Sequence, residues 1–229
     1  MSSRAYTAAR PHRVAGQFRY GAVLFLILTL VFFQIAAPSG RWAFAIDIAL
    51  AGAALTVAVA TSRARGSVRR RRAQAVAIVG VIVFLGIAIG VVSATATFVV
   101  LTLIVAALPV TLAGGLVRLI KEEGVTVQVV AGALAMYLLV GLLFASIIAF
   151  VSHVERGPFF QQGSETDAVD LYYSFTVLTT TGFGDYTSRT SFGHALAVLE
   201  MLIGQLYLVT VIGIAVGSLV GRRAKAGED

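Results

Sequence analysis

Eight consecutive residues, Thr179-Thr180-Thr181-Gly182-Phe183-Gly184-Asp185-Tyr186, have the types and spacing from which a chemical task can be read. A cation stripped of its water needs replacement oxygens of similar number and strength, and a row of backbone carbonyls can supply them. Those carbonyls must all face one axis, which neither strand nor helix geometry allows. Gly182 and Gly184 can take the left-handed dihedrals that turn successive carbonyls the same way. Thr180 adds a hydroxyl oxygen at the inner end, and Phe183 is expected to turn its ring away from the axis and wedge the loop against its surroundings. One such loop makes one wall of a cage, so the motif implies four copies about an axis, a homotetramer.

The elements that hold this loop must lie in a membrane. The chain of 229 residues is 58% hydrophobic and 13% charged, with a mean hydropathy of +0.90, too apolar for a water-soluble domain. Several uncharged runs of about 18 residues or more reach across roughly 30 Å of hydrocarbon as helix. The net charge of +7 does not indicate a nucleic-acid partner, because the basic residues sit in short loops between the apolar runs. No soluble partner is implied, and membrane lipids are the expected surroundings. The absence of cysteine excludes a disulfide framework, thiolate chemistry and a Cys-based metal site.

In chain order, residues 1–19 form a polar N-terminal segment with Arg4, Arg10, Arg13 and Arg19, followed by an apolar run from Tyr20 to Ala37. That run is longer than the apolar part of a signal peptide and is expected to be a retained first span. A second span starts at Trp42 and contains Asp47, the single acid of the first four spans. It is expected near the outer end, with its carboxylate snorkelling to water. An arginine-rich loop at 62–73 precedes a third span over 73–93, and a fourth runs from Ala96 to Val117, kinked at Pro109. Residues 20–117 thus make a four-helix unit, and 118–124 a polar cytoplasmic linker. A pore-forming unit occupies 125–221 and a cytoplasmic tail 222–229. Within 125–221, a fifth span ends near Val151, residues 152–167 read as an exposed loop, and Asp170 to Thr179 is too short to cross. That last segment suits a half-helix that dips in and returns through the glycine loop. A final span runs from Ser191 to Val220. Of the 18 lysines and arginines, this topology leaves Arg41, Arg156 and Arg189 outside and the other 15 inside, with both termini cytoplasmic, as insertion demands.

From Asp170 to Gly221 the chain resembles the pore module of tetrameric potassium channels. The four leading spans resemble the six-helix members of that family in number and placement. The resemblance implies an all-α membrane protein of the cell membrane with six transmembrane helices, a re-entrant pore helix and a selectivity-filter loop around a central pore. Passive potassium conduction is the implied function, with potassium as the permeant ion and no cofactor. By that resemblance Thr180, Thr181, Gly182 and Phe183, continuing to Gly184, supply the coordinating oxygens, and Thr179, Asp185, Tyr172, Tyr173, Thr176 and Glu200 support the filter. Phe183 stands where tyrosine is usual, Thr181 where valine is usual and Tyr172 where tryptophan is frequent, so the support behind the filter differs from the common pattern. Asp185 is expected to be held by the Tyr172 hydroxyl.

On the last helix, Gly204 falls where the family carries a hinge glycine. A glycine in mid-helix costs about 1 kcal/mol against alanine, so it serves either bending or close packing. Gln205, Leu208, Val209 and Ile212 share a face by helical spacing and are expected to line the cavity, with Leu208 and Ile212 forming an apolar ring. Glu200, the one acid of this helix, is expected behind the pore helix, accepting hydrogen bonds from threonine hydroxyls or backbone, in either protonation state.

The fourth span has no charge between Ala94 and Leu116, so it provides no voltage-sensing work and weak voltage dependence is expected. No cytosolic ligand-sensing domain is expected after the last helix. Two rival readings differ in class. Gly182-Phe183-Gly184-Asp185 also fits the Gly-x-Gly-Asp pattern of intramembrane aspartyl proteases, with Asp47 as the necessary partner; Asp185, however, leads directly into a polar stretch that leaves the membrane, whereas that chemistry needs burial. A filter of relaxed selectivity that also passes sodium is the second.

Overall fold

The computed structural model describes residues 19–36, 41–61, 94–154, 157–163 and 166–226. The expected third span, the whole arginine-rich loop and the N-terminal segment up to Phe18 lie outside these residues. Seven α-helices are described: α1 (Arg19–Ala36), α2 (Arg41–Thr61), α3 (Ala94–Glu123), α4 (Val127–Val154), α5 (Asp167–Leu178), α6 (Ser191–Leu206) and α7 (Gly213–Ala226). A π-helical segment, Tyr207–Ile212, joins α6 to α7 without a break. Among the described residues, Val127–Val154 and Ser191–Ser218 are long and apolar enough to cross a membrane, and Tyr20–Ala36 and Ile46–Ala58 are shorter apolar helices.

Helices α1 and α2 pack on each other, α2 on α3, α3 on α4, and α1 on both α4 and the short α5. Gly132 near the start of α4 lies against Tyr20 at the start of α1 and Leu116 near the end of α3. At the other end Gln34, Asp47, Thr102 and Ser146 line one cleft. Helices α1 and α4 therefore run in the same direction, and α2 and α3 run opposite to them. The buried residues of α1, Tyr20, Val23, Ile27 and Leu30, repeat at three- and four-residue intervals and form one stripe, while Phe25 and Phe32 point outward. Helix α2 contributes Ala51, Ala54 and Ala58 to the contact. Between helices in lipid, close packing replaces the hydrophobic effect, and small side chains let the backbones approach.

The segment expected as a linker is helical. Helix α3 continues through Arg118 to Glu123, and only Gly124–Thr126 separates it from α4. Gly124, at φ +69°, terminates α3 with its amide donating to Ile120 O at 2.9 Å, a left-handed cap that reverses the chain in three residues.

The stretch after α4, expected as an exposed loop, is buried at its centre and exposed at Gln161–Gly163. Phe159 and Phe160 are fully buried, edge-on to each other with centroids 5.0 Å apart. Phe160 also packs edge-on against Tyr173 of α5 and Tyr186 beyond the glycine loop, at 5.1 and 5.6 Å. Backbone bonds from Gln161 N to Thr187 O (2.9 Å) and from Arg189 N to Phe159 O (2.7 Å) tie the two connections together. The aromatic pair thus anchors both flanks of the loop.

Candidate functional site

Helix α5 begins three residues earlier than its apolar pattern indicates. Thr166 caps it, its hydroxyl accepting from Val169 N at 3.2 Å, and Asp167 and Asp170 fill the first turn, where the helix dipole favours negative charge. A threonine followed by two acids is a sequence pattern of a helix start. At its other end the last four carbonyls of a helix lack intrahelical partners. Here each finds one. Phe175 O accepts from Thr179 N (3.1 Å), Thr176 O from Thr181 N and Gly182 N (2.9 and 3.1 Å), Val177 O from Thr180 N (2.9 Å) and Leu178 O from the Tyr137 hydroxyl (3.2 Å).

These bonds use the amides of Thr179 to Gly182 and turn them toward α5. Among the described residues, the carbonyls of Thr180, Thr181, Gly182 and Phe183 take part in no backbone hydrogen bond outside a helix. The backbone alternates in hand: Thr180, Gly182 and Gly184 have φ of +58°, +52° and +78°, whereas Thr181 and Phe183 do not have positive φ. Alternation with a period of two brings successive peptide planes to face the same way. The glycine positions were legible; the left-handed Thr180 was not, because a β-branched residue there is an outlier that only its surroundings can enforce. The Thr180 hydroxyl donates to Thr179 O at 2.7 Å and accepts from Gln205 Nε2 at 3.4 Å, and the Thr179 and Thr181 hydroxyls meet at 2.9 Å. Residues 179–185 are exposed on the single chain, and a Cβ at Gly182 or Gly184 would meet open space.

Behind the loop the Tyr172 hydroxyl donates to Asp185 Oδ2 at 2.8 Å. Its ring stacks parallel to Phe183, at 6° and 6.2 Å, so Phe183 lies against α5 of its own chain. Donation to the carboxylate pushes the Tyr172 phenol above its ordinary value of 10.0. Asp185 Oδ1 also accepts from Tyr186 N at 3.1 Å. Tyr173 is buried in the aromatic cluster, and Thr176 donates to Tyr173 O at 2.8 Å.

Glu200 is fully buried on α6 and faces α5, where its partner is Ser174 rather than a threonine: Ser174 Oγ lies 2.5 Å from Glu200 Oε1 and 2.7 Å from Gly141 O of α4. No local pattern marks Ser174, which is 26 residues from Glu200. Gly204 is a contact residue, since a Cβ there would run into the carbonyl oxygen and side chain of Leu178, the last residue of α5. The irregularity of the inner helix comes later, at Tyr207–Ile212. Tyr207 donates to Ala133 O at 2.9 Å and stacks on Tyr137, and Thr210 donates back to Leu206 O, so side chains hold the widened turn from both sides. An added residue per turn shifts the helical face. Gln205 and Val209 remain exposed, Leu208 is half-buried and Ile212 packs against the bundle core.

Asp47 does not snorkel. It is 7% exposed and lines a cleft with Gln34, Thr102, Ser146, Asp167 and Asp170, and among the described residues its Oδ1 has no hydrogen-bond partner. Burial raises the Asp167 carboxyl above its ordinary 3.8. Asp47 and Asp185 therefore have separate surroundings, the first beside Asp167 and the second at Tyr172.

No curated protein and no solved structure matches the chain. Residues 132–220, which take in most of α4, all of α5, the glycine loop and α6 through most of α7, fit the family model described as ion channel. A capped half-helix, a loop of alternating hand and most of the two flanking apolar helices fall inside that match, and this stretch of the chain is similar to an ion-channel domain.

Proposed function

We propose that the protein is a potassium-selective channel that conducts passively through a fourfold pore in the cell membrane, with both termini cytoplasmic. The observation that carries this reading is the division of labour in the loop: the amides of Thr179 to Gly182 are bound to α5, while the carbonyls of Thr180 to Phe183 are left for another partner. A bare cation is the partner that such a row of oxygens suits. The exposure of residues 179–185 on a single chain supports assembly of four copies. Thr180, Thr181, Gly182 and Phe183 coordinate the ion, with Tyr172, Thr176, Thr179, Asp185 and Glu200 as support. With no charge from Ala94 to Val117, the channel is weakly voltage-dependent.

A filter of relaxed selectivity is the second reading. It is favoured by Phe183, which lacks the hydroxyl that would join the Tyr172–Asp185 contact. The protease reading is disfavoured because Asp185 is exposed and bound to Tyr172 while Asp47 lies beside other acids. The test is potassium efflux from liposomes containing the purified protein, together with its mass in detergent. Efflux from a particle of four chains supports the proposal; peptide cleavage without efflux, or a stable particle of another copy number, refutes it.

A further inference from the structure

Ser174 joins three helices through two contacts that one hydroxyl hydrogen cannot satisfy. Its Oγ is 2.5 Å from Glu200 Oε1 on α6 and 2.7 Å from the Gly141 carbonyl on α4, both within the O–H···O range. A serine hydroxyl carries one hydrogen and a backbone carbonyl none. The short contact to Glu200 alone suits either a hydroxyl bound to a carboxylate or an acid bound to a hydroxyl. The contact to Gly141 O decides between them. If Ser174 gave its hydrogen to Glu200, two oxygens would face each other at 2.7 Å with nothing between them.

We infer that Glu200 is a proton-binding site and holds its proton in the folded protein at neutral pH, donating to Ser174 Oγ, which in turn donates to Gly141 O. The second carboxyl oxygen, Oε2, is buried and has no hydrogen-bond partner among the described residues. For an anion that is a large penalty; for the carbonyl end of a neutral acid it is a modest one. The titratable groups that face Glu200 are Tyr137 on α4 and Tyr173 on α5. Both are neutral phenols at that pH, and among the described residues no cation pairs with the carboxyl. From the π-helical segment Tyr207 donates to Ala133 O instead.

The bound proton therefore links inner, pore and outer helices directly behind the loop, and its removal at alkaline pH sets a charge against Ser174 and breaks the chain of donors. The protonation state does not depend on which ion the pore passes. Infrared difference spectroscopy of the full-length protein in liposomes tests it without requiring ion flow. The expected result at neutral pH is a protonated-carboxyl band that Glu200→Gln removes and that alkaline pH abolishes; a wild-type spectrum superimposable on that of Glu200→Gln in this region overturns the inference. If Glu200→Gln does not fold, Ser174→Ala serves: the band moves to higher frequency as the acid loses its acceptor, and an unmoved spectrum is the contrary result.

Discussion

Gly204 of the inner helix lies directly against the carbonyl oxygen of Leu178, the residue that ends the pore helix. The inner helix therefore buttresses the pore helix at the point where the chain turns into the glycine loop, and the space for a side chain is absent. Gly204→Ala is expected to destabilise the protein by about 1–3 kcal/mol, the range for overpacking a filled site. Gly114→Ala, in open space on α3, is expected to stabilise it by about 0.5–1 kcal/mol through helix propensity. Thermal melts in detergent check both; equal effects at the two positions would contradict the contact.

Thr180 occupies a left-handed conformation that costs a β-branched residue roughly 1–2 kcal/mol. Thr180→Gly is expected to relieve that strain and raise the melting temperature, and at the same time to lower potassium flux because the hydroxyl and the rigidity of the loop are lost. Thr180→Ser keeps the hydroxyl and is expected to retain more flux than glycine. A glycine variant with wild-type flux would remove the threonine from the site.

Much of this site is legible in the sequence, for identifiable reasons. Gly182 and Gly184 are read correctly because left-handed backbone has a residue preference, and the Tyr172–Asp185 contact because a short helix and its following turn bring those residues together. The partners of Glu200 and Gly204 are not legible, since Ser174 and Leu178 reach them from another helix, 26 residues away in each case, and leave no local pattern. The burial of Phe159 and Phe160 is missed for a similar reason: a short stretch between helices reads as a loop unless its aromatic partners, Tyr173 and Tyr186, are known. The π-helical segment depends on Tyr207 reaching Ala133 across to α4, a tertiary event.

Tyr172→Phe keeps the stack on Phe183 and deletes the bond to Asp185. The expected outcome is a lower potassium-to-sodium permeability ratio or a current that decays faster under sustained flux, with assembly unaffected. Unchanged permeation and kinetics would mean that Asp185 does not brace the loop through Tyr172.

Asp47 faces Asp167 in the outer cleft with one oxygen unpartnered. Asp47→Asn is expected to raise stability at alkaline pH, because it removes a buried carboxylate charge from beside Asp167 while keeping the shape of the side chain. Burial holds the folded Asp167 above its ordinary 3.8, so its protonated form is favoured by folding. Its stabilising contribution is complete below 3.8 and is lost as pH rises through the folded value. Lowering pH from neutral should therefore help both proteins, and it should help the wild type more, because there it also relieves the repulsion between Asp47 and Asp167. Parallel pH profiles of the two melts would show that the carboxyls do not interact.

The central claim is that one subunit's loop offers main-chain oxygens to potassium in preference to sodium, and the reversal potential measures this most directly. With potassium on one side of a bilayer containing the protein and sodium on the other, the current is expected to reverse far toward the potassium equilibrium potential. Reversal near zero, or no current at all from correctly assembled protein, would contradict it.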